Sequence, residues 1–137
     1  MIIRLTAIAV LIALLGGASG ALAGQAHVTN VEIKYRGFTG YDFNVTVRHE
    51  EESPVHFVDR WEIVAPDGRI LGTKRFTSAH VNEQPFTRML SGVSIPPQID
   101  RVTVRAHDTQ HAFGGREVTV QVPKWDGHGR GSGNPLP

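Results

Sequence analysis

From Asn30 onward apolar and polar residues alternate with a period of two, and no other feature of the sequence restricts its folding as tightly. Val31, Ile33 and Tyr35 share one face of a first run, while Asn30, Glu32 and Lys34 share the other. After a glycine-bounded turn at 37–40, Tyr41, Phe43, Val45 and Val47 alternate with Asp42, Asn44, Thr46 and Arg48. Successive side chains of an extended strand point to opposite faces, so this pattern buries one side only as β structure, and the two runs read as a hairpin.

The same signature continues. An acidic turn at 50–54 leads to a third strand carrying Val55, Phe57, Trp61 and Ile63, and Ala65-Pro66-Asp67-Gly68 is a tight-turn sequence before a return strand over 70–76. Residues 86–95 read as a fifth strand with Gly92 as a bulge and Pro96-Pro97 as its stop. Along a sixth strand Val102, Val104 and Ala106 face one way and Arg101, Thr103, Arg105 and His107 the other; 116–122 supplies the last. About seven short strands, no amphipathic helix and a tryptophan, Trp61, on a central strand predict an all-β, immunoglobulin- or fibronectin-like antiparallel sandwich. An open barrel is the alternative.

The first residues do not belong to that domain. Arg4, the apolar stretch 5–15 and a small-residue region ending Ala21-Leu22-Ala23 form the three zones of a secretory signal peptide, with cleavage expected after Ala23. The apolar stretch is too short to cross roughly 30 Å of hydrocarbon, so no stable membrane anchor is expected. The organisation read from the sequence is a signal peptide over 1–23, a sandwich over 24–123, and a disordered tail rich in glycine and proline over 124–137. A periplasmic or secreted protein results. With 40% hydrophobic and 20% charged residues, the middle segment can build one core.

The chain has no cysteine, which removes disulfides, thiolate nucleophiles and cysteine-ligated metals, as well as the residue a bacterial lipid anchor requires. Loss of Arg4 would bring the basic residues from 14 to 13, equal to the 13 acidic ones, and a neutral surface argues against a nucleic-acid partner. The serines lack a Gly-x-Ser-x-Gly context, so a serine hydrolase is unsupported.

Histidine is the unusual residue: there are seven, all beyond the expected cleavage point. His107 and His111 bracket the end of the sixth strand, a spacing that converges two imidazoles if the loop turns back, and His49 and His56 face each other across the turn between strands two and three. Imidazole suits copper, zinc, nickel or iron(II), and without cysteine the shell must be mixed nitrogen and oxygen. The predicted metal ligands are His56, His107 and His111, with His49, His80, Asp108 or Glu83 as further ligands. The competing reading makes these solvated turn histidines or histidines bonded to backbone. Asp59, on the parity of Phe57 and Trp61, is expected to be partly buried with a structural cationic partner; Glu83 and Arg88 flank Phe86, a core residue with solvated neighbours.

His49, the segments His56-Phe57-Val58 and Trp61-Glu62-Ile63-Val64, and a later strand running into a histidine-containing turn with Gly114-Gly115 resemble the metal domain of the superoxide reductases. That resemblance implies an immunoglobulin-like sandwich with iron at one end; the family's cysteine ligand has no counterpart here and the spacing from His49 to His56 differs. The longer stretch from Trp61 through Asp67-Gly68 to Arg88 looks like small exported bacterial β-sandwich proteins of no established activity, which implies compartment and fold only. Two functions remain: a histidine-based binder of copper, zinc or iron, or a non-catalytic module that docks another exported protein.

Overall fold

The computed structural model describes residues 24–50 and 52–124. The expected signal peptide and the tail beyond Lys124 lie outside the described residues. Lys124 itself is tied down, its ammonium donating to the carbonyls of Pro97 at 2.8 Å and Ile99 at 2.7 Å.

The described residues form seven strands: β1 (His27–Tyr35), β2 (Tyr41–Arg48), β3 (Val58–Val64), β4 (Ile70–Arg75), β5 (Phe86–Val93), β6 (Arg101–Asp108) and β7 (Val118–Gln121). A single turn of 3-10 helix, Gly37–Thr39, joins the first two. All pairings are antiparallel, in two sheets ordered β1-β2-β5 and β4-β3-β6-β7. This is the expected sandwich rather than a barrel. The fourth strand pairs with β3 instead of extending the β1-β2-β5 sheet, as it would in a constant-type immunoglobulin domain, and so takes the fibronectin-like choice.

The core follows the strand period. On β2 the odd residues Tyr41, Phe43, Val45 and Val47 are buried, and on β6 the even residues Val102, Val104 and Ala106 meet them from the other sheet. Trp61 and Phe43 are fully enclosed, each removing on the order of 150–250 Å² from water, or about 4–6 kcal/mol of transfer free energy.

Parity holds only between bulges. A register shift between Val28 and Asn30 lets both Val28 and Val31 face inward, and another between Val58 and Arg60 does the same for Val58 and Trp61. The expected bulge at Gly92 is present: Leu90 to Val93 on β5 spans what Phe43 to Tyr41 spans on β2, and Gly92 takes φ +71°, open to glycine at little cost.

One strand departs from expectation. β3 begins at Val58, and Val55 is 76% exposed, because residues 53–56 close on themselves through Ser53 N–H to the His56 carbonyl at 2.8 Å and His56 N–H to the Ser53 carbonyl at 3.1 Å. That tight turn breaks the alternation that Val55 and Phe57 suggested and leaves His56 buried.

Candidate metal centre

Two strands from opposite sheets each extend their inward parity one step further with a polar residue. On β2 the next odd position after Val47 is His49; on β6 the next even position after Ala106 is Asp108, and both are 0% exposed. They meet between the sheets at one pole, where the His49 Nε2 to Asp108 Oδ2 distance is 2.8 Å.

Two turns bring the other rings. His56 comes from the 53–56 turn, its Nε2 2.8 Å from the same Asp108 Oδ2. After β6 the chain folds back at once: Asp108 and Ala112 exchange backbone hydrogen bonds at 3.1 Å, with Ala112 at φ +56°, and His111 Nδ1 comes within 3.2 Å of Asp108 Oδ2. Thr109 ties the two turns together, its N–H donating to the Phe57 carbonyl at 3.0 Å and its hydroxyl accepting from Phe57 N–H at 3.2 Å. Neighbouring rings stand at steep angles, His49 to His56 at 4.7 Å and 84°, and His56 to His111 at 4.9 Å and 58°.

Asp108 is the hub. Its Oδ2 faces three imidazole nitrogens, while Oδ1 accepts backbone N–H from Gln110 at 2.7 Å and His111 at 2.6 Å. Burial alone would push its carboxyl upward, but the His111 N–H, the His56 ring, the Gln110 N–H and the His111 ring together hold it well below the usual carboxylate range. Asp108 is therefore held as a buried anion.

A second carboxylate stands on the far side of His49. Glu52, its side chain 1% exposed, places Oε1 3.4 Å from His49 Nδ1 and accepts Val58 N–H at 3.2 Å. Neither His49 Nδ1 nor Glu52 Oε2 has a hydrogen-bond partner among the described residues. On its other edge His49 Nε2 also lies 2.7 Å from the carbonyl oxygen of Gly24.

The ligand atoms of His49, His56 and Asp108 all lie within 4.8 Å of one another. Metal–nitrogen and metal–oxygen bonds of about 2.0–2.1 Å place neighbouring ligand atoms about 2.9 Å apart at right angles and about 3.4 Å apart in a tetrahedron. The separations of 2.8 to 3.2 Å around Asp108 match the first and need a few tenths of an ångström for the second. A nitrogen that faces Asp108 with its proton is a hydrogen-bond donor; without it, the same nitrogen offers a lone pair to a cation. His111, with 38% of its side chain exposed, is the ring nearest solvent.

Of the predicted ligands, His49, His56 and His111 are brought together and His107 and His80 are not. His107 lies on the outward face of β6, as its parity with Arg101, Thr103 and Arg105 required; its Nδ1 is 2.6 Å from Asp59 Oδ1 and 3.2 Å from Arg60 Nη1. Asp59 has, in Arg60, the structural cationic partner expected of it. Beside them Glu62, 5% exposed, accepts from Arg60 Nε at 2.9 Å and from Arg105 Nη2 at 2.9 Å, and Arg105 lies 4.1 Å over the Phe113 ring.

His80 stacks on Phe86 with centroids 4.0 Å apart. It reaches the pole only indirectly: Gln84 donates to the His80 carbonyl at 3.1 Å and accepts His49 N–H at 2.8 Å. Glu83 is exposed and paired with Arg88, and Phe86 is core, as expected. Glu52 and the Gly24 carbonyl were absent from the predicted set, and Asp108 stood at its margin. Extending the alternation of β2 and β6 by one step finds Asp108; no pattern in the sequence points to Glu52.

Fold and cluster together define a class: a fibronectin-like sandwich whose two sheets enclose a buried histidine–carboxylate cluster at one pole. No family model matches the chain, and no solved structure matches it, so the likeness to superoxide reductases rests on the short segments that carry it. A Halomicrobium mukohataei protein named "Putative lipoprotein" is 30% identical over 98 residues, which are 72% of this chain and 48% of that protein. The chain thus spans about half the length of the curated relative it matches. Among the described residues no helix is long and apolar enough to cross a membrane.

Proposed function

We propose that the protein is an exported binder of a divalent transition metal, copper(II) or zinc first and iron(II) next, held by His49, His56 and Asp108 with His111 on the solvent side. One observation carries the reading: imidazole nitrogens from the end of β2 and from two separate turns converge on a single buried carboxylate oxygen. A fold gains little stability from burying so many polar rings around one charge, since desolvation offsets much of the attraction. A cation replaces the ring protons and uses every lone pair.

Binding rather than catalysis suits this pole. His49 and Asp108 are fully enclosed, which suits holding an ion more than presenting it to a substrate. Export is supported by the Ala21-Leu22-Ala23 pattern and accords with the name of the relative, a lipoprotein; this chain itself has no cysteine for a lipid.

Elemental analysis of the protein purified from the exported fraction without chelator tests the reading. About one equivalent of copper, zinc or iron is expected in the wild type and a small fraction of that in a folded His56→Ala variant. Equal content in both contradicts the proposal, and no metal in either leaves the module that docks another exported protein.

A further inference from the structure

The cluster has an unexplained neighbour at the start of the domain. Gly24 is buried, and its carbonyl oxygen lies 2.7 Å from His49 Nε2, as close as the Asp108 carboxylate on the other side. Gly24 is also the residue that the Ala-x-Ala pattern makes the first of the processed chain.

The segment that follows is pinned. A Cβ on Gly115 would lie 1.8 Å from the Ala26 carbonyl oxygen and one on Gly114 2.3 Å from Gln25 Nε2, so these glycines allow the 114–116 loop to press against residues 25–26. Arg116 N–H donates to His27 Nδ1 at 2.9 Å, Val28 N–H donates to the Arg116 carbonyl at 2.9 Å, and Ala26 is 1% exposed. Gly24 is thereby held at the pole by the residues next to it.

We propose that the α-amino group of Gly24, freed by cleavage after Ala23, joins the metal site, so that export processing completes it. The inference rests on the metal reading above. By covalent geometry an amine nitrogen lies about 2.7–3.6 Å from the carbonyl oxygen of its own residue, which brings it within about 6 Å of His49 Nε2. A terminal amine and its own carbonyl oxygen close a five-membered ring on a cation, and the amine lone pair is a nitrogen donor of the same class as imidazole. In the unprocessed chain that nitrogen belongs to a peptide bond, whose lone pair is delocalised and unavailable.

Copper(II) alone is the probe. Three forms are titrated by calorimetry and examined by electron paramagnetic resonance: the chain beginning at Gly24, the same chain preceded by Ser-Ala, and the chain beginning at Gly24 with its α-amine acetylated. Thermal melts establish that each is folded. The form beginning at Gly24 should bind more tightly than the other two by about tenfold or more, the scale of losing one supporting group at a metal site. Its spectrum should carry one more nitrogen coupling. Equal affinity and identical spectra in the Gly24 and extended forms overturn this inference and leave the metal reading intact. Binding by none of the forms overturns both, whereas loss confined to the extended and acetylated forms supports both.

Discussion

His107 and Asp108 are neighbours on one strand, and they belong to two different electrostatic worlds. Asp108 points between the sheets, where its side chain is 0% exposed and collects three imidazole nitrogens on one oxygen. His107 points outward into a network with Asp59 and Arg60, where side chains keep 18 to 30% of their exposure. Residue types overlap in the two regions: histidine, carboxylate and strand β3 opposite. Only the side of the sheet differs. Inside, a charge with a missing partner has no water to fall back on; outside, water screens the pair and replaces what is lost. Acid–base residues in equal number therefore make a specific cluster on one face and a surface network on the other.

The comparison breaks most visibly at Asp108. Asp108→Ala would strip three rings and two backbone N–H groups of their common acceptor in a buried site, and a loss of about 3–5 kcal/mol is expected in urea denaturation. A loss under about 1 kcal/mol would mean that the pole is wetter than described. Glu62→Gln tests the best-buried part of the outer network, where about 1–3 kcal/mol is expected from weakening charged hydrogen bonds to Arg60 and Arg105.

That second variant also carries a pH signature. Burial pushes the Glu62 carboxyl up, but hydrogen bonds from Arg60 and Arg105 outweigh it and hold the folded value below the unfolded one. A depressed folded value means stability that is fully present above about pH 4.3 and is lost as pH falls through the folded value. Denaturation midpoints of wild type and Glu62→Gln should therefore converge below pH 4; a gap that widens in acid contradicts the assignment. His107→Ala is the smallest effect, under about 1 kcal/mol, because its contact with Asp59 is partly solvated.

Most of the architecture was legible, since alternation over 31–47 and 101–107 and turn residues at 37–40, 65–68 and 92 encode it locally. What failed was local too. Val55 and Phe57 continued an alternation that the Ser53–His56 turn cancels, because two backbone hydrogen bonds outweigh the burial of one valine. At the site, spacing suggested His107 with His111, yet the parity of Val102, Val104 and Ala106 already placed His107 outside and Asp108 inside. Period two decides facing, and spacing within a turn does not. Glu52 and Gly24 were invisible for a different reason: Glu52 meets His49 three residues on within an irregular turn, and Gly24 meets it from 25 residues away, and neither leaves a periodic trace.

The central claim is that the inward cluster, and not the outward histidine, holds a metal. Calorimetric titration of copper(II) into the processed protein, a His49→Ala, His56→Ala double variant and a His107→Ala variant tests it most directly. The account predicts tight binding of one ion to the wild type, weakening in acid because protons compete for imidazole lone pairs. It predicts a loss exceeding about 100-fold in the double variant and a change within about twofold in His107→Ala, more than the effect of removing a supporting group and less than that of any ligand, respectively. Affinity that survives in the double variant, or falls equally in His107→Ala, would contradict it.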